Sequence, residues 1–163
     1  HRSDDVDGVL RWLASQNWAD TAKIALLGWS HGGTTVLTST DKNRQNVISR
    51  EVQPSVAIAF YPGCSDALRS NYRPQVPLVM MLAELDDWTP PGPCIALAKQ
   101  TGAELYVYPE SYHDFDNPVG GVRIRNDVAN GVIPGGGVHV GRNPQTGPQA
   151  WEQVLTTLRN KWQ

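Results

Sequence analysis

The sequence predicts an α/β fold with a mostly parallel sheet, on three observations. Short apolar runs without alternation, residues 24–27 (IALL), 56–61 (VAIAFY) and 78–83 (LVMMLA), have the pattern of parallel strands covered on both faces. Segments with apolar residues at helical spacing separate them, so strands and helices alternate along the chain. Each run is followed at once by residues able to do chemistry, which is where ligands sit in such sheets.

The elements follow in order. Val6, Val9, Leu10 and Leu13 recur at helical spacing, with Asp4, Asp5 and Asp7 near the start, where the helix dipole favours acids. Run 24–27 then reads as a strand, and Gly28-Trp29-Ser30-His31-Gly32-Gly33 as a sharp turn into a helix of small residues, 34–39. Strands at 56–61 and 78–83 precede a helix within 93–100 and a further strand at 104–108 (ELYVY). Segment 117–149 is rich in Gly and Pro, with turn signals at NPVGG, PGGG and NPQTGP. It is either a long loop or a short hairpin of 122–126 with 138–140, over or beside the strand ends. Trp151, Val154, Leu155, Leu158 and Trp162 form the apolar stripe of a closing amphipathic helix.

With 163 residues and a net charge of −2, the chain is sized for one domain and carries no basic run. Nucleic acid and anionic membranes are therefore not expected partners; a small molecule or a peptide is. No run approaches the roughly 20 apolar residues of a membrane-spanning helix. Two cysteines are too few for a metal cage, and no metal or organic cofactor is implied.

Gly28-Trp29-Ser30-His31-Gly32 matches G-x-S-x-G, the strand-to-helix elbow that exposes a nucleophilic serine. The expectation is that a side chain at either flanking glycine would collide with its neighbours. A serine hydroxyl needs an adjacent base, and an imidazole acting as base needs an acid on its other nitrogen. His113 supplies the base. Asp86 and Asp87 compete for the acid, Asp86 being preferred because it lies closer to the strand end. Small residues also end buried strands without any catalytic role, so the pattern gains its weight from the order Ser, Asp, His, each after its own strand. The backbone N–H of His31 is expected to face a developing oxyanion. Trp29, Trp88 and Tyr112 are candidate substrate-binding residues, with Tyr61 beside them. Asp114 and Asp116 read as solvated loop acids, and His139 as a loop residue without a partner.

GWSHGG, YPGC, ELDDWTPPGPC and SYHDFDNP together resemble the dienelactone hydrolase family of the α/β-hydrolase superfamily. The resemblance implies a three-layer sandwich, with Ser30 as nucleophile, Asp86 as orienting acid and His113 as base. The namesake enzymes carry cysteine in the elbow, so Ser30 implies a serine hydrolase acting on a carboxylic ester or lactone rather than the dienelactone activity. The arginine that holds a substrate carboxylate shortly after the histidine is replaced by Asp114-Phe115-Asp116-Asn117, so a strongly anionic lactone is not expected. The chain starts at the helix before the elbow and is expected to be the carboxyl-terminal portion of the domain, without the loop that gives the second oxyanion donor. Two rivals are a prolyl-oligopeptidase-type serine peptidase, whose propeller gate has no room here, and a non-catalytic binding remnant. Cys64 and Cys94 follow neighbouring strands and form either a disulfide or two buried thiols. Pairing would indicate an exported or periplasmic protein, and free thiols a cytoplasmic one.

Overall fold

The computed structural model describes residues 2–128 and 130–163. Four parallel strands form the main sheet in sequence order: β1 (Ala25–Trp29), β2 (Val56–Phe60), β3 (Leu78–Ala83) and β4 (Glu104–Tyr108). Pairing runs Ala25 to Val56 across β1 and β2, Ala57 to Leu78 across β2 and β3, and Val79 to Glu104 across β3 and β4. Every residue of β2 and β3 is buried, as expected for apolar runs covered on both faces. The edge strands β1 and β4 are only partly buried.

Alternation along β2 and β3 sends residues to two cores. Ala57, Ala59, Leu78, Met80 and Leu82 meet Val36 and Leu37 of α2 (His31–Ser39) and Leu97 of α5 (Pro91–Thr101). Ile58, Phe60, Val79 and Met81 meet Phe115 together with Ala150 and Val154 of α6 (Thr146–Trp162). Burying each such large side chain is worth about 1.5–3 kcal/mol. The product is a sheet with helices on both faces, the expected three layers.

The helix α1 (Arg2–Ala14) packs on α2. Its Leu10 is buried, but Val9 is 55 % exposed, and Asp7 is no surface acid. The Asp7 carboxylate lies buried in an ion pair with Arg50 and accepts from Asn46 at 3.0 Å. Two short helices, α3 (Gln45–Ile48) and α4 (Ser65–Arg69), are too brief to leave a periodic signal in sequence. The Gly-rich segment contains the hairpin: β5 (Arg123–Arg125) pairs antiparallel with β6 (Val138–Val140). Cys64 and Cys94 form a disulfide that joins the segment after β2 to the first turn of α5. Among the described residues no helix is long and apolar enough to cross a membrane.

Candidate active site

Ser30 stands between β1 and α2 with φ 53° and ψ −119°, a conformation that L-residues rarely adopt. Its N–H donates to the Phe60 carbonyl at 2.9 Å, tying the turn to β2. Strain of this kind costs on the order of 1–3 kcal/mol and persists only where the surroundings enforce it. Two glycines make the turn possible. A methyl group on Gly28 would run into the Gly32 carbonyl, and one on Gly33 would lie 2.9 Å from the Phe60 oxygen. Gly32, by contrast, faces open space, so the second crowded glycine is Gly33 and not the last residue of the G-x-S-x-G pattern.

His113 leaves β4 on a short loop and is 3 % exposed. Its Nε2 lies 2.8 Å from Ser30 Oγ and its Nδ1 2.7 Å from Asp86 Oδ2. An ionised carboxylate only accepts, so Nδ1 carries the proton and Nε2 is left to accept from the serine hydroxyl. Asp86 is held in turn. Its Oδ1 accepts from the Trp88 and Thr89 N–H groups at 2.9 and 2.8 Å, and its Oδ2 lies 3.0 Å from Thr89 Oγ1. The competing Asp87 points to another histidine, His139, at 2.7 Å.

The imidazole of His113 lies between two rings, Tyr61 at 4.5 Å and Trp88 at 4.8 Å between centroids. Tyr61 also leaves its strand with a positive φ of 34° and donates its hydroxyl to Asp116 Oδ1 at 2.6 Å. The other oxygen of Asp116 accepts from the Trp29 indole at 2.8 Å. Asp116 is therefore not a solvated loop acid: it is buried and ties together the residue before Ser30, the residue after β2 and the His113 loop. Burial raises its carboxyl above the ordinary range, opposed by the hydrogen bonds from Tyr61 and Trp29. The Tyr61 hydroxyl is held well above its usual value, first by burial and then by the Asp116 charge. Sequence reasoning missed Thr89, although its contact with Asp86 spans only three residues, and misread Asp116, whose partner Trp29 lies 87 residues away.

A cavity of about 280 Å³ opens over Ser30 and His113. Trp29, Tyr61 and Trp88 wall one part of it; Arg123, Arg125 and Val140 of the hairpin wall another. Arg125 lies over the Trp88 ring at 5.3 Å and is paired with Asp127. Cationic side chains thus reach the cavity from the hairpin, although none follows His113 directly. Tyr112 does not line this cavity and stacks instead on His139 at 4.8 Å, which gives His139 two partners where none was expected. His31 opens α2, so its backbone N–H is among the first donors of that helix, which have no partner within it. Among the described residues no group of His, Cys, Asp and Glu is placed to hold a metal ion.

A parallel sheet flanked by helices, with a strained serine at the end of β1, an acid after β3 and a histidine after β4, defines an α/β-hydrolase fold. The chain belongs to the dienelactone hydrolase family, whose model matches residues 2–161. A Klebsiella pneumoniae subsp. pneumoniae MGH 78578 protein assigned as a dienelactone hydrolase superposes with a TM-score of 0.64 at 16 % identity, over 95 % of this chain and 59 % of its own. A carboxylesterase from Lactobacillus plantarum WCFS1 gives 0.58 at 16 % identity, over 93 % and 66 %. Dipeptidyl peptidase 4 of Porphyromonas gingivalis gives 0.56 at 18 % identity, over 73 % and 20 %. At these identities the likeness is one of fold, and the chain spans under two thirds of the length of each of the three. No curated protein matches the sequence.

Proposed function

We propose that the chain carries the catalytic residues of a serine hydrolase that cleaves a carboxylic ester or lactone through an acyl-enzyme. The reading rests on the unbroken hydrogen-bond chain from Ser30 through His113 to Asp86, at 2.8 and 2.7 Å. Ser30 Oγ bonds to the substrate carbonyl carbon while its proton passes to His113 Nε2. The tetrahedral oxyanion takes a hydrogen bond from the His31 N–H. The intermediate then expels the alkoxide, which takes the proton from His113 and leaves as an alcohol from an ester, or stays on the acyl group as a hydroxyl from a lactone. Water repeats the sequence on the acyl-enzyme, releasing the carboxylic acid and free Ser30. Asp86 holds Nδ1–H and balances the imidazolium without itself taking the proton. Trp29 and Trp88 are the substrate-binding residues of this reading, through the cavity they wall. Family membership supports hydrolysis, and the disulfide supports an exported protein, since such bonds persist in oxidising compartments.

The test is intact-mass analysis after exposure to a small fluorophosphonate. The expected result is one adduct, absent from Ser30→Ala and strongly slowed in His113→Ala. An unreactive Ser30 in a folded protein would favour the non-catalytic remnant. Turnover of a short-chain ester against a Pro-containing amide then separates an esterase from a peptidase.

A further inference from the structure

Beside the Ser30 cavity, the same two loops hold a second pairing of acid and imidazole. Asp87 follows Asp86, and Tyr112 precedes His113, so the outward neighbours of both site residues face the hairpin. The Asp87 carboxylate takes two hydrogen bonds from one residue, the His139 N–H to Oδ1 at 2.9 Å and His139 Nδ1 to Oδ2 at 2.7 Å. The Asp87 carbonyl accepts from the Val132 N–H at 2.9 Å. Tyr112 closes the other side, its ring stacked on His139 with an interplanar angle of 26°.

This outer pairing bears on the inner cavity through strand alternation. On β6, His139 points away from Val138 and Val140, and on β5 Ile124 opposite it points away from Arg123 and Arg125. Arg123, Arg125 and Val140 are the hairpin residues that wall the cavity. The hairpin has only three paired residues on each strand, and a short two-stranded ribbon is marginal alone in water. Its position depends on what ties it down. β6 also reaches the His113 loop, through the Gly141 N–H to the His113 carbonyl at 2.9 Å and a single parallel bridge from His113 to Val140.

The geometry points to Asp87 and His139 as positioning residues for substrate selection: together they clamp the β5–β6 hairpin so that its inner face forms a fixed wall of the cavity. The hydrogen bonds described for this pair leave the Ser30–His113–Asp86 chain untouched, so the clamp governs which esters fit and not how Ser30 attacks. The inference takes its substrate from the hydrolase reading above, whereas the clamp itself does not depend on it.

The test compares the parent chain with Asp87→Ala, His139→Ala and His139→Asn. An asparagine amide can take the place of Nδ1–H as donor to Asp87, so His139→Asn is the conservative change. Three quantities are measured: the rate of Ser30 labelling by a small fluorophosphonate, KM and kcat for p-nitrophenyl acetate and benzoate, and the rate of protease cleavage within 126–137. The expected result in both alanine variants is labelling within about twofold of parent, a benzoate-to-acetate KM ratio changed by about fivefold or more, and faster cleavage, with His139→Asn close to parent in all three. An unchanged KM ratio, or labelling that falls as far as ester turnover, would overturn the inference. If the parent chain neither turns over esters nor labels at Ser30, the hydrolase reading fails separately. Cleavage then decides the clamp, and equal rates in all four proteins would reject it.

Discussion

Asp116 shows how one buried side chain can organise a site without touching the reacting atoms. Its carboxylate is shared by the Tyr61 hydroxyl and the Trp29 indole, and both rings border the groups at Ser30 and His113. Because burial raises its folded pKa above the ordinary 3.8, the native state binds this proton more tightly than the unfolded chain does. That contribution to stability is fully present below the ordinary carboxylate value and is lost as pH rises through the raised one. Asp116→Asn removes the titration. The unfolding free energy of the variant relative to the parent is therefore expected to shift in the variant's favour as pH rises above the ordinary carboxylate range, whatever constant penalty the lost acceptor imposes. Denaturant melts at several pH values would check this, and a pH-independent difference would contradict it. Ser30, Asp86 and His113 could be picked out in sequence because each lies within a few residues of the end of a predicted strand. The partners of Asp116 and the pairing of Asp87 with His139 could not, since only tertiary folding brings together residues such as these two, 52 apart in the chain.

At the scale of elements, the strands of the main sheet were readable from the order of residues along the chain, and β3 and β4 have the bounds expected from it. The turn signals left the Gly-rich segment open between a long loop and the hairpin that forms, and could not show it as one wall of the cavity, because its orientation is set by side-chain ties rather than by local propensity. The elbow gives the sharpest contrast. Gly32→Ala meets open space in the first turn of α2, and alanine loses less backbone freedom on folding than glycine, so it is expected to hold or raise the melting temperature. Gly33→Ala presses a methyl group against the Phe60 carbonyl, which also receives the Ser30 N–H, and is expected to lower it. Thermal melts of the two variants side by side would decide; the reverse order would mean that the turn is not as tightly held against β2 as described.

At the scale of the molecule, the proposed reaction draws on Ser30, His113 and Asp86 from the ends of three strands and on the His31 N–H at the start of α2 as oxyanion donor. Loss of one such donor typically costs about a hundred- to a thousand-fold in rate. The disulfide acts at the same scale, since closing a loop of this length contributes about 3–4 kcal/mol by restricting the unfolded chain.

That bond also changes the connectivity of the molecule. Cys64 and Cys94 lie 30 residues apart, so peptide bonds and the sulfur bridge close a covalent ring that contains all of β3 and Asp86. A single break anywhere in that ring cannot divide the chain in two. The strand that carries the acid stays joined to the strands that carry the serine and the histidine, and a nicked molecule keeps its full mass until it meets a reductant.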